Sequence, residues 1–265
     1  MHAVPDEILV VDNSVGDKQT EDVARSFAAR YVVEPKSGLS RARNRGLAES
    51  TSDIVAFIDD DSVPTQNWLE LILQPFEDPQ VAAVTGRVVT PESKPVDCTP
   101  RIVSRASPHW FEMATYGGLG RGSNMSFRKS SCAGLTAFDE RLGRGAPFQI
   151  AEENYAFASL LSRGFTAVYL PSATVMHPSR RYWPTEEKAR NSFGYWLLLF
   201  SEFPERRKDL LHFLIRRLRR EPLAWPRESP DPGEIITSGW WMQMKAGISA
   251  LLLFLRTRRP KRDER

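Results

Sequence analysis

Ile54-Val55-Ala56-Phe57-Ile58-Asp59-Asp60-Asp61 joins a short apolar run to three consecutive aspartates, and the reading of this stretch decides the fold. The run Asp53 to Ile58 reads as a strand buried on both faces, because it is apolar without alternation and bounded by acids. Side by side at a strand end, the three carboxylates repel one another and lose solvation. A divalent cation with hard oxygen ligands relieves both costs. The alternative is a solvated acidic turn, in which one aspartate caps a helix starting near Gln66. The triplet alone leaves both readings standing.

On either side of it the chain alternates. Glu7 to Val11 is a strand, Glu21 to Arg30 a helix, Tyr31 to Val33 a strand and Ser40 to Glu49 a second helix. After the triplet come a helix over Asn67 to Phe76 and a strand over Val81 to Thr90. Such alternation predicts an α/β fold with a mainly parallel central sheet flanked by helices. Ligands of these sheets bind at the carboxyl ends of strands. Asp12, Asn13 and the triplet all stand at such ends, which favours a site over a cap.

Residues 91–151 are less periodic. Gly117-Gly118-Leu119-Gly120-Arg121-Gly122 lets a backbone approach a ligand closely, but lacks the lysine and spacing of a phosphate-binding P-loop. A strand over Met125 to Arg128 follows, then a helix over Glu152 to Ser162 ended by Gly164. Two further strands are predicted, Phe165 to Leu170 and Ala173 to Met176. Beyond Pro184 the pattern becomes helical and basic. The division is therefore a domain over 1–184, a basic amphipathic helical segment over 185–221, a Pro-rich linker over 222–238, and an apolar helix with a basic tail over 239–265.

Composition narrows the function. A chain of 265 residues with 41% hydrophobic and 26% charged residues buries a full core. Two cysteines, Cys98 and Cys132, give neither a disulfide framework nor a cysteine zinc site, which fits a reducing compartment. No signal peptide opens the chain. Residues 206–265 carry 15 Lys+Arg against 7 Asp+Glu, while the rest carries 21 against 26. An acidic body with a basic end points to an anionic surface. No nucleic-acid motif accompanies it. The apolar stretch 239–255 holds Lys245 and is short for a bilayer span; it suits either a helix lying in a membrane interface or one packed on protein.

Taken together, these blocks resemble a family 2 glycosyltransferase of the GT-A fold. The resemblance rests on Asp6-Glu7-Ile8-Leu9-Val10-Val11-Asp12-Asn13-Ser14, Gly38-Leu39-Ser40-Arg41-Ala42-Arg43-Asn44-Arg45-Gly46, and Ile58-Asp59-Asp60-Asp61. It continues through Gly122-Ser123-Asn124-Met125-Ser126-Phe127-Arg128, Phe138-Asp139-Glu140, Glu152-Glu153 and His177, covering residues 5 to about 180. It implies an inverting, metal-dependent transfer of a sugar from a nucleotide-diphosphate sugar to a hydroxyl of a glycan or lipid-linked acceptor. The implied cofactor is Mn2+ or Mg2+, held by Asp61 and Asp59 with His177. Asp12, Arg43, Asp59, Asp60 and Asn124 are implied contacts of the nucleotide sugar.

Glu153, with Glu152 beside it, falls where the family places its catalytic carboxylate, usually written Glu-Asp. Each residue also has a plainer reading. Asp12 suits an Asx turn, His177 a hydrogen-bonded structural role, and the glutamate pair a helix N-terminus. The family opens with a strand and helix ahead of the Asp6-Glu7-Ile8 block; only a few residues stand there in this sequence, which either begins late or is that of a shortened protein. The competing expectation is therefore a non-catalytic, shortened transferase-like module that associates with a membrane or a partner. Location is expected to be cytoplasmic, at the inner face of the cell membrane.

Overall fold

The computed structural model describes residues 3–14, 18–91, 99–134, 137–178, 185–219 and 240–257. The Pro-rich linker, Cys98 and the basic tail after Thr257 lie outside the described residues. Strands β1 (Leu9–Asp12), β2 (Arg30–Val33), β3 (Ile54–Ile58), β4 (Val63–Pro64), β5 (Val81–Val89), β6 (Arg101–Val103), β7 (Asn124–Arg128) and β8 (Thr166–Met176) form two sheets. Helices α1 (Lys18–Ser26), α2 (Leu39–Glu49), α3 (Trp68–Leu73), α4 (Trp110–Thr115), α5 (Glu152–Ser162), α6 (Thr185–Glu202), α7 (Arg207–Leu218) and α8 (Trp240–Thr257) surround them.

The larger sheet runs β3-β7-β5-β8-β4, with β6 also on β8. β7 is antiparallel to both β3 and β5, and β5 is parallel to β8, so β3, β5 and β8 share one direction. β1 and β2 pair in parallel as a separate sheet. α2 bridges the two: a Cβ at Gly46 would lie 3.5 Å from Phe57 of β3 and 3.7 Å from Val11 of β1. Among the described residues no ladder joins β1 to β3. β3 is therefore an edge strand, with Ala56 and Ile58 exposed. This corrects the expectation of a strand buried on both faces: Ala56 and Ile58 share one face and are exposed, while Val55 and Phe57 on the other are half-buried.

Helices cover both faces of the large sheet. Met125 and Phe127 of β7 pack with Phe138 and Phe157 on one side; Val84, Val168 and Val175 pack with Trp68 and Ile72 on the other. The break expected between Leu170 and Ala173 is a bulge inside one long strand. Register shifts where Gly86 faces it, and a Cβ on Gly86 would sit 1.8 Å from the Ala173 carbonyl oxygen. The first helix ends early, at Ser26, because Ala28 turns the backbone left-handed (φ 54°) and frees Arg30 to head β2.

α8 lays Ala246, Ala250 and Phe254 inward, with Ala246 against Ala189 and Phe193 of α6. Ile248, Leu251, Leu252 and Leu255 face outward. Among the described residues no helix is long and apolar enough to cross a membrane.

Candidate active site

The acidic triplet follows β3, and the Ser62 amide donates to the Asp59 carbonyl (3.0 Å), which closes the turn over Asp60 and Asp61. β4 pairs antiparallel with the end of β8, Val63 opposite Met176. That register brings His177 beside the triplet, and its amide donates to the Val89 carbonyl (2.8 Å). His177 Nε2 lies 3.3 Å from Asp61 Oδ1 and 3.8 Å from Asp59 Oδ2. One ligand atom from each of Asp59, Asp61 and His177 falls within 4.8 Å of the others. Asp60 is exposed beside them.

Burial pushes the Asp59 carboxyl above its ordinary range, and the charges of Asp61 and Glu152 add to the shift. Arg43 and His177 oppose it. A divalent cation between these groups would remove that penalty. Two carboxylate oxygens and one imidazole on strand ends fit Mn2+ or Mg2+, which favour carboxylate-rich sets.

Arg43 stands behind this group, 6% exposed. Its Nη1 donates to Glu152 Oε1 (2.6 Å), its Nη2 donates to the Gly122 carbonyl (3.1 Å), and Nη2 lies 3.7 Å from Asp59 Oδ1. A Cβ on Gly122 would come within 2.8 Å of Nη2, so a side chain there would push the guanidinium out of its present place. One buried cation thus connects the triplet to the first turn of α5.

α5 begins after Ala151, whose left-handed backbone (φ 63°) aims the first turn inward. Such a conformation is costly for a residue with a side chain and persists only where its surroundings impose it. Glu152 is buried and paired with Arg43. Glu153 is partly buried, and burial with the Glu152 charge raises its carboxyl to about 7. The two neighbours therefore differ: Glu152 is pinned by Arg43, while burial and the Glu152 charge push the Glu153 carboxyl up toward neutral pH.

The loop before α5 is clamped by α2. Asn44 donates from Nδ2 to the Phe138 carbonyl (2.8 Å) and accepts from the Phe138 amide (3.0 Å). Ser40 Oγ donates to the Leu142 carbonyl (2.7 Å). Arg141 then ties Asp139 (2.7 Å) to Glu202 of α6 (2.6 Å). Ser40 and Asn44 belong to the block that carries the resemblance but were not expected as site residues; with Arg43 they have the i, i+3, i+4 spacing of a single helix face. Arg41 and Arg45 lie elsewhere, on Glu140 and Glu49.

The structure brings Asp59, Asp61, His177, Arg43, Glu152 and Glu153 into one neighbourhood. Asn124 pairs with Ile58 beside the triplet, but its side chain turns away from this group. That side chain is fully buried, accepting from Trp68 Nε1 (2.8 Å) and donating to the carbonyls of Arg87 (2.9 Å) and Ala173 (2.8 Å). Asp12 is also turned inward. Its Oδ1 accepts from the Ser14 amide and hydroxyl, the Asx turn, and its Oδ2 accepts from the Tyr31 hydroxyl.

Comparison with known proteins agrees with this geometry. The sequence model of glycosyl transferase family 2 matches residues 3–137, about half of the chain. The pre-mycofactocin glycosyltransferase of Mycobacterium tuberculosis is 41% identical over 85 residues, 31% of this chain and 18% of that one. The O-antigen chain rhamnosyltransferase WbaN of Salmonella anatum is 27% identical over 197 residues, 70% of this chain and 60% of that one. The chain thus spans less than two thirds of the length of these relatives.

Among solved structures, S. aureus TarS 1-349 in complex with UDP-GlcNAc superposes with TM-score 0.61 at 15% identity, covering 94% of this chain and 72% of that one. The mannosyltransferase PcManGT from Pyrobaculum calidifontis, in complex with GDP-Man and Mn2+, gives 0.52 at 16%, covering 96% and 79%. These likenesses establish the fold as α/β of the GT-A type.

Proposed function

The chain belongs to glycosyl transferase family 2, and from that premise we propose that it moves a sugar from a nucleotide-diphosphate sugar to a hydroxyl acceptor with inversion. The convergence of Asp59, Asp61 and His177 beside the Arg43–Glu152 pair carries this reading. Asp59, Asp61 and His177 would hold Mn2+ or Mg2+, with Asp60 in reach of the donor. When bound, that ion supplies positive charge against the diphosphate as it departs.

Glu153 serves as the general base. Its raised carboxyl matches the pH at which it must take the acceptor hydroxyl's proton, and no second carboxylate is required as a nucleophile. Glu152 does not compete for this role, because its carboxyl group is taken up by Arg43. Arg43 is thereby a positioning residue, and only its flank toward Asp59 is left to face donor phosphate. Asp12 and Asn124 support the nucleotide pocket from behind, by fixing the ends of β1 and β7. The acceptor is a glycan or lipid-linked precursor, reached through peripheral membrane contact of the basic C-terminal helices.

Calorimetric titration of the chain with UDP and with GDP, each with and without Mn2+, tests the reading. Binding of one of them that disappears when Mn2+ is withheld is expected; binding by neither, or binding indifferent to the metal, overturns it. The second reading, a binding module without turnover, draws on the edges of β1 and β3 that no described strand covers and on the inward Asp12. Metal-dependent nucleotide binding without sugar release from any nucleotide sugar would favour that module.

A further inference from the structure

A cavity of about 660 Å³ opens between α4 and α7, away from the acidic group. Arg105, at one wall, donates to the carbonyl of Ser162 (3.4 Å), the last residue of α5. Glu152 is the first residue of that helix, so the two sites are separated by its length, roughly 15 Å at 1.5 Å per residue. The sheet gives the same separation. Arg105 follows β6, whose Val103 pairs with Ala167 near the start of β8, whereas His177 follows the end of β8.

The wall is cationic. Arg105, Arg206, Arg216 and Arg219 come from three elements, against two carboxylates, Glu112 and Asp209. Both carboxylates have partners within the wall: Asp209 meets Arg206 at 3.1 Å and Glu112 meets His109 at 3.3 Å. Arg206 also lies over the Trp110 ring, 4.7 Å from its centroid. Guanidinium groups gathered from separate elements suit phosphate, which they bind through paired N–H donors.

Beside the cavity α7 exposes Leu211, Leu214 and Ile215, and Ile215 also lines it. These positions share one face of the helix. Phosphate recognition next to exposed aliphatic side chains is the chemistry of a bilayer surface.

We propose that this cavity seats the phosphate headgroup of an anionic membrane lipid, with Leu211, Leu214 and Ile215 entering the interface beside it. This deepens the peripheral-membrane part of the proposed function and does not depend on sugar transfer. The test is co-sedimentation of the full chain with phosphatidylcholine vesicles, with or without phosphatidylglycerol. Three variants accompany it: Arg216→Glu/Arg219→Glu, the charge-conserving Arg216→Lys/Arg219→Lys, and a tail variant with Arg258, Arg259, Lys261 and Arg262 changed to Gln. Thermal denaturation of each verifies folding.

Binding that requires phosphatidylglycerol, falls by about tenfold or more on double charge reversal and survives the lysine exchange is expected. Binding lost only in the tail variant keeps the membrane reading and overturns the cavity; no binding to either vesicle overturns both. Saturable binding of glycerol phosphate with no vesicle binding overturns the lipid in favour of a soluble phosphate.

Discussion

The two ends of α5 are built in opposite ways. At its head, carboxylates outnumber cations: Asp59, Glu152 and Glu153 gather round Arg43. At its tail, arginines outnumber carboxylates around the α4–α7 cavity. The head is held from inside, through hydrogen bonds from α2, in surroundings where a charge is strongly coupled to its neighbours. The tail opens outward, where its ion pairs meet solvent and salt screens the coupling between charges. Substitutions at the head should therefore move activity, stability and acidity together, and that linkage separates a preorganised site from a merely charged surface.

The largest break is expected at Asp61, which is exposed and lies 3.3 Å from His177. Asp61→Ala should lower sugar transfer by about 10³-fold or more, since a metal contributes several kcal/mol to a developing charge. Melting temperature should stay within a few degrees, as expected for an exposed side chain. An active Asp61→Ala enzyme would sink the metal assignment. Arg43→Met comes next. It leaves the buried Glu152 carboxyl without its partner, and urea denaturation should show a loss of about 3 kcal/mol or more. The exposed pair of Arg25 with Glu21 gives the contrast, because Arg25→Ala should cost less than about 1 kcal/mol.

Glu153→Gln is smaller in free energy and sharper in meaning. The variant should lose about 10²-fold in kcat, the low end of what a general base supplies. Its affinity for the metal-bound nucleotide should hold, by calorimetry. A matching loss of nucleotide affinity would place Glu153 in donor binding instead.

How much of this was legible differs between the parts. The alternation of strands and helices, and the acidic triplet at a strand end, follow from local pattern, and the sheet and the grouping of Asp59, Asp61 and His177 agree with it. The exposed face of β3 was not legible, because burial of an apolar run depends on what packs over each face. Arg43 looked like a phosphate contact because sequence shows charge but not direction; the structure turns it toward Glu152, 109 residues away. Asn124 sits in a motif, yet its 0% exposure follows from Trp68 and Ala173 closing over it, which no spacing reveals. The cationic cavity joins residues from 105 to 219, so neither half is notable alone.

The gentlest change tests whether the head of α5 works as a coupled unit. A carboxyl base acts only when ionised, so kcat/KM should rise with pH and reach half its plateau near the Glu153 value of about 7. Burial is the leading cause of that elevation, and the Glu152 charge is next. Glu152→Gln removes the second cause alone, while its amide oxygen still accepts from Arg43. The ionised form of Glu153 is then favoured, so its pKa falls and the rising limb moves to lower pH. It should not fall to the ordinary carboxylate range, because burial persists. Between about pH 5 and 7 the variant should gain less than about tenfold relative to its own plateau, as a shift of one unit is tenfold. A limb that stays put, or moves upward, would mean that Glu153 does not feel Glu152, and that the shared first turn of α5 is not what sets the pH dependence.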